Sequence, residues 1–390
     1  MLKHSLAALA LAAAFTPAAA LAQEDIRIGF VSTFSGPQGV LGKEALDGFK
    51  LALKSTGGKL GGRNVKLIEV DDQAKPDAGR QAVDKLIESD RAHIITGIIF
   101  SNVMLAVAKP VLDSKTFYIS TNAGPSQLAG KQCDPYFFSV SWQNDTTPEA
   151  MGAYTNEVGV KKIYLLAPNY PAGKDMLAGF KRLYKGEVAA EVYTTFGQLD
   201  YAAEIAQVRA AKPDGVFAFY PGGMGINFVK QYAQAGLTKD VPLYLPSFTL
   251  DGTTLPGVGD LAIGLPVSSF YSETLDNAAN KQFVADFDAA YSRLPSPYAA
   301  QAYDGARAID AALKSIGGKI EDKDAFRKAM EGVKFDSVRG AFKFNTNHFP
   351  IQDYYLTEVA KDAKGRLGMP MKKVILKDHA DAYVGECKMN

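Results

Sequence analysis

Strand-like and helix-like patterns alternate along most of this chain, and that alternation limits its fold more than any other feature. Short apolar runs at Ile26–Val31, Val65–Val70, His93–Phe100, Phe117–Ser120, Ile163–Ala167, Gly215–Tyr220 and Leu243–Leu245 read as strands. Between the first of them lie amphipathic segments, Lys43–Leu53 and Gly79–Ser89, with helical spacing. Such alternation over hundreds of residues predicts an α/β protein, with parallel sheets covered by helices on both faces. A length of 390 residues fits two lobes. Sheets of this kind bind ligands beyond the carboxyl ends of their strands. Those ends read Ser32–Pro37, Ser101-Asn102, Thr121–Gly124, Asn169–Gly173 and Ser247–Thr249. Hydroxyls, amides, aromatics and glycines dominate, and most of these residues are uncharged.

An internal echo supports two similar lobes. Residues 42–50 (GKEALDGFK) match residues 173–181 (GKDMLAGFK) at six of nine positions, with Glu44 answered by Asp175. Each copy follows a strand and a Gly/Pro-containing loop and opens a helix. If the lobes face each other, both loops are expected to line one cleft, where helix N-termini offer free N–H groups.

Residues 1–22 read as a secretory leader. Lys3 and His4 give a polar start, Leu6–Phe15 an apolar run too short to span a bilayer, and Ala20-Leu21-Ala22 a small-x-small cleavage site. No cysteine follows the leader, so a periplasmic protein without a lipid anchor is expected. In that oxidising compartment the two cysteines, Cys133 and Cys387, suggest one disulfide, with two buried thiols as the alternative. The formal charge is only +1 and there is no Lys/Arg block, which argues against nucleic acid or an anionic membrane surface as partner.

Several chemistries lack their residues. His93, His348 and His379 are scattered, with no zinc-type pairing, and there is no Cys-x-x-Cys or Gly-x-Ser-x-Gly. No metal and no cofactor are therefore expected. Gly36–Glu44 has the wrong spacing for a phosphate loop. Gly257–Ala262 fits Gly-x-Gly-x-x-Ala but follows Leu255-Pro256 rather than a strand. Asp71-Asp72 reads as a solvated strand end.

Taken in order, Ile28-Gly29, Ser35-Gly36-Pro37, Gly42, Gly48, Gly57-Gly58, Gly61-Gly62-Arg63, Asp71-Asp72-Gln73, Tyr170 with Gly173, and Ala235-Gly236-Leu237 resemble a known pattern. It is that of type I periplasmic solute-binding proteins of the leucine/isoleucine/valine-binding family, which serve ABC importers. The resemblance covers nearly all of residues 24–390. It implies two Rossmann-like lobes joined by a three-crossover hinge: residues 24–141 plus 272–345, and 142–271 plus 346–383, with a tail at 384–390. It also implies a monomer that captures a small carboxylate ligand and delivers it to a membrane permease. In such proteins a Ser hydroxyl and loop N–H groups hold the ligand carboxylate. Ser101, beside Phe100 and Asn102, matches the first role, and Asn122, Ala123 and Gly124 the second; Ser101 also reads as a helix N-cap.

Two positions depart from the family pattern. The segment Leu245-Pro246-Ser247-Phe248 lacks the acid that receives a ligand ammonium, and Leu41 replaces a covering Tyr. A buried ammonium without a carboxylate is costly. The expected ligand is therefore an aromatic monocarboxylate, benzoate- or cinnamate-like. Phe34, Ser35, Leu41, Tyr170, Tyr220, Ser247 and Phe248 complete the candidate site, and the segments Asn122–Pro125 and Trp142–Asp145 resemble the aromatic-acid branch. The alternatives are an amino-acid binder that recruits Asp251 or Glu273, a periplasmic hydrolase using that acidic pair, and a ligand-sensing module.

Overall fold

The computed structural model describes residues 24–389; the leader assigned to residues 1–22 lies outside them. The first sheet contains β1 (Ile26–Ser32), β2 (Lys59–Leu60), β3 (Arg63–Asp71), β4 (Ile94–Thr96), β5 (Phe117–Ser120) and β6 (Phe137–Ser139). Their order is β2-β3-β1-β4-β5-β6, parallel except for the β2–β3 hairpin. Central β1 sets Ile28 opposite Leu67 on one side and Ile94 on the other. Helices α1 (Gly39–Ser55), α2 (Pro76–Glu88) and α3 (Ser101–Asp113) make the connections, and a short α4 (Ser126–Ala129) follows β5.

The second lobe begins with α5 (Thr146–Glu157) and then alternates β7 (Lys162–Pro168), α6 (Pro171–Leu183), β8 (Glu187–Thr194), α7 (Ala202–Ala211), β9 (Gly215–Ala218) and α8 (Gly223–Gln234). After the short α9 (Leu237–Asp240) come β10 (Leu243–Pro246), the short α10 (Leu255–Val258) and β11 (Pro266–Ser269). The chain then supplies α11 (Ala278–Tyr291), α12 (Pro297–Ser315) and α13 (Lys323–Glu331) to the first lobe. Tyr291 donates to the Asp47 carbonyl, Asp310 accepts from the Gly61 N–H, and Phe326 meets Phe117 edge-on at 4.8 Å. Back on the second sheet come β12 (Lys343–Phe344) and β13 (Pro350–Glu358). A separate hairpin of β14 (Ala360–Lys361) and β15 (Leu367–Gly368) precedes β16 (Met371–His379), which pairs with β13.

The second sheet runs β12-β13-β11-β10-β9-β7-β8 and is mixed, where an all-parallel sheet was expected. Strands β12, β13 and β16 are antiparallel to their neighbours. For the β12–β13 and β13–β16 pairs the cause is connection length: a parallel neighbour needs a crossover of a dozen residues or more, usually a helix, and neither connection contains one. Lys343–Phe344 accordingly lie beside β13 and not in the first lobe's segment, 272–345, of the sequence reading.

The chain passes between the lobes after β6, after β11 and after α13. One side chain touches all three passages. Arg339, fully buried, pairs with Asp304 at 2.8 Å, donates to the carbonyls of Val140 and Ser141 and to Gln352, and lies over the Phe270 ring. Its charge is neutralised and every one of its nitrogens donates a hydrogen bond, as a buried guanidinium requires. The tail then returns to the first lobe, where Cys387 is disulfide-bonded to Cys133. Among the described residues no helix is long and apolar enough to cross a membrane.

Candidate functional site

The echoed helices explain how loops reach the cleft. A Cβ on Gly42 would lie 2.1 Å from the Thr33 carbonyl oxygen, and one on Gly173 would lie 1.9 Å from that of Pro168. Each helix thus begins pressed against the end of its own strand, which only glycine permits. The two loops nevertheless do different things. That before α6 faces the cleft with Tyr170 and Ala172. That before α1 covers the start of α8, where Gln38 accepts from the Gly223 N–H at 3.2 Å.

Where the lobes meet they leave a small cavity of about 10 Å³, room for about one water. Ile99, Phe100 and Ser101 enter it from the β4–α3 junction, Asn122 and Ala123 from the loop after β5, and Trp142 and Asn144 from the first passage between lobes. The second lobe adds Tyr170, Ala172, Phe219, Pro221 and Phe248, and α12 adds Tyr298. Trp142 stacks on Phe248 at 4.4 Å, Tyr298 meets Phe248 edge-on at 5.1 Å, and Tyr170 contacts Phe100 and Phe219 at 6.3 Å. No Asp, Glu, Lys, Arg or His is among these lining residues. Burial drives the Tyr170 and Tyr298 hydroxyls far above the usual phenol range, so both stay neutral.

The polar groups of the cavity are few. Asn122 is engaged at both ends of its amide, donating to the Ile99 carbonyl at 2.7 Å and accepting from Gln301 at 2.6 Å. Asn144 donates to Ser101 Oγ at 3.1 Å and to Asp175 at 2.9 Å. Trp142 Nε1 is buried without a hydrogen-bond partner among the described residues. The loop N–H groups expected to await a carboxylate already have acceptors. Asn122 and Ala123 reach Ser120 Oγ and the Ile98 carbonyl at 3.4 Å, and Gly124 reaches Asn144 Oδ1 at 3.2 Å.

Of the candidates read from sequence, Phe100, Ser101, Asn122, Ala123, Tyr170 and Phe248 line the cavity. The others do not, and each has a reason. Phe34 N–H is bound by Asp71, and Ser35 is exposed. Leu41 packs towards Gly222 in the second lobe. Asn102, the second residue of α3, is not among the lining residues, and its buried Oδ1 has no hydrogen-bond partner among the described residues. Gly124 runs against the Trp142 carbonyl, so tightly that a Cβ would lie 2.1 Å from it. Tyr220 belongs to the second lobe's core, packed on Tyr201 and Phe228. Ser247 is fully buried behind the wall, its N–H bonded to the Ser268 carbonyl. Ser101 is the first residue of α3 rather than its N-cap, a position held by Phe100.

The carboxylates proposed for the alternatives are also elsewhere. Asp251 is fully buried and holds its own loop through Thr253 N–H and Oγ1, both at 2.7 Å. Glu273 binds the Met369 N–H beside Gly252 and Leu294, outside the cavity. Asp71-Asp72 is no solvated strand end: Asp72 is fully buried, accepting from Thr33 Oγ1 and the Ala74 N–H. Phe219, one of the strand-end aromatics of the sequence, also lines the cavity, whereas Trp142, Asn144 and Tyr298 were not assigned to the site. A signal existed for Trp142 and Asn144, which lie in the Trp142–Asp145 segment already singled out. None existed for Tyr298, which the third dimension brings in from α12.

Two α/β lobes meeting around an uncharged, aromatic-walled cavity define a solute-binding protein. Residues 25–365 match the periplasmic binding protein family, and the chain belongs to it. A solute-binding protein of an ABC transporter from R. palustris, solved in complex with benzoate, is 32% identical, with 94% of this chain and 100% of that chain covered and a TM-score of 0.89. Another, from Rhodopseudomonas palustris BisB5 in complex with 3,4-dihydroxy benzoic acid, is 30% identical over 92% of this chain and 99% of that one, at a TM-score of 0.86. The Leu/Ile/Val-binding protein homolog 6 of Brucella melitensis biotype 1 is 28% identical over 378 residues, 94% of this chain and 95% of the relative.

Proposed function

We propose that this protein is the solute receptor of an ABC importer and that its cavity takes an aromatic monocarboxylate of benzoate or cinnamate type. The observation that carries this reading is the lining itself, six aromatic side chains with no charged one among them. Aromatic walls suit a flat ring. A carboxylate is met by neutral donors: Ser101 Oγ–H, Trp142 Nε1–H, and the Ala123 N–H, whose 3.4 Å bond is at the outer limit of useful length. An amino-acid ammonium would find no acid there. Two relatives solved with benzoate and with 3,4-dihydroxy benzoic acid support the same ligand class.

In this reading the leader is removed after about Ala22, no lipid anchor is added, and a monomeric receptor hands its ligand to a membrane permease. In this reading the protein is not an enzyme: it acts by closing, and among the described residues the side-chain partner of Ser101 Oγ is the Asn144 amide, which cannot act as the base that makes a serine a nucleophile. The second reading, amino-acid binding, is favoured by the name of the Brucella relative. A calorimetric and thermal-shift screen separates the two. Benzoate, 4-hydroxybenzoate and cinnamate are set against leucine, isoleucine, valine and phenylalanine. An aromatic acid should raise the melting temperature by mass action, and the amino acids should not. The reverse pattern replaces this reading with the second, and chromatographic loss of the bound acid replaces it with catalysis.

A further inference from the structure

A short hydrogen-bonded chain runs from the cavity to the opposite lobe. Asn144 Nδ2 donates both to Ser101 Oγ at 3.1 Å and to Asp175 Oδ2 at 2.9 Å, while its Oδ1 accepts from the Gly124 N–H at 3.2 Å. These partners fix which end of the amide is which, since Gly124 offers only a proton and Asp175 has been given only protons. Asp175 stands on α6 of the second lobe. Its carboxylate accepts from Ser126 N–H at 3.1 Å and from Ser126 Oγ at 2.8 Å, both at the start of α4 in the first lobe. Ser101 and Asn144 are each 1% exposed, and Asp175 is 7% exposed.

We propose that Asn144 is a positioning residue that makes the Ser101 hydroxyl a donor into the cavity, and that Asp175 enforces this only when the lobes meet. The proposal rests on the reading of Ser101 as a donor to the ligand carboxylate. A hydroxyl that accepts from Asn144 keeps its own proton for another acceptor. A flipped Asn144 amide would present oxygen to Ser101, take that proton, and turn a lone pair towards the cavity, which repels a carboxylate. In the closed molecule the flip would also set amide oxygen against the Asp175 carboxylate. When the lobes part, Asp175 leaves with its helix, and the Gly124 bond alone defines the amide. Recognition of the anion and closure of the lobes are thus the same event, and the closed state is the one with the higher affinity for a carboxylate.

A double-mutant cycle on the full mature chain, with benzoate as calorimetric probe, tests this. Ser101→Ala should weaken benzoate by about tenfold or more, the loss of one donor to a charge. Asn144→Ala should cost about tenfold in the wild-type background but about twofold or less beside Ser101→Ala, because its effect passes through that hydroxyl. Equal losses in both backgrounds would overturn the proposal and leave Asn144 a packing residue. Should Asn144→Ala not fold, the isosteric Asp175→Asn takes its place with the same expected pattern. Small-angle scattering of ligand-free Asp175→Asn supplies an arm independent of benzoate: a larger radius of gyration than wild type supports the cross-lobe hold, and an unchanged one overturns it. Wild type that binds no benzoate removes the ligand reading, and the scattering arm then decides the relay by itself.

Discussion

Phe248 has a φ of +85°, a backbone conformation that bulky residues rarely adopt. The surroundings impose it. Its ring is held between Trp142 and Tyr298. Strain of this kind concentrates at ligand sites, where the chain must aim one side chain. Phe248→Ala should destabilise the fold by about 3 kcal/mol or more, as for other large-to-small aromatic losses, and should weaken benzoate binding; urea unfolding and calorimetry check the two effects. His93 carries a second prediction. Its Nδ1 accepts from the Arg27 N–H at 3.0 Å, and burial together with the Arg27 charge holds its pKa down to about 4. The unfolded ring, near the ordinary value of 6.5, takes a proton that the folded ring refuses. Stability is therefore lost as pH falls from about 6.5 towards 4, and it rises with pH across that window. His93→Gln should flatten the slope of the unfolding free energy measured over this range.

At the scale of elements, the echoed helix starts have the same cause twice over. Replacing Gly173 by Ala drives a methyl into the Pro168 carbonyl, and a thermal melt should show a loss of about 1–3 kcal/mol, typical of overpacking. The strands of this region were largely legible, because burial on both faces leaves unbroken apolar runs. Phe117–Ser120 has the same bounds in sequence and structure, and Ile26–Val31 is one residue short. His93–Phe100 was read as one strand but pairs only over Ile94–Thr96. Gly97, at φ +95°, ends the ladder, and Ile98–Phe100 stay apolar for a different reason: they back the cavity and are buried there. The site was legible where a residue lies in the loop or helix start that follows a strand, as with Ser101, Ala123, Tyr170 and Phe248. It was illegible where the wall comes from a helix entering after a change of lobe, as with Tyr298. Tyr220 shows the opposite failure: it lies two residues beyond β9, yet its ring turns into the core of its own lobe.

For the whole molecule the decisive contacts are those that gather the passages between lobes. Arg339→Ala would leave Asp304 buried without its counter-charge and strip the carbonyls of Val140 and Ser141 of a donor. A loss of about 3–5 kcal/mol is expected from chemical denaturation. The Cys133–Cys387 bridge encloses 254 residues of separation. Cys387→Ser should cost about 2–5 kcal/mol, and the melting temperature of the wild type, but not of the variant, should fall on adding reductant. The chain also holds a single tryptophan, and it is the one in the cavity wall. Excited at the long-wavelength edge of the near ultraviolet, where the 18 tyrosines do not absorb, each molecule therefore emits from one place, between Phe248 and the space a ligand would fill. Its emission reports occupancy and lobe contact with no background from elsewhere in the fold, so this receptor is its own optical sensor and needs no added dye.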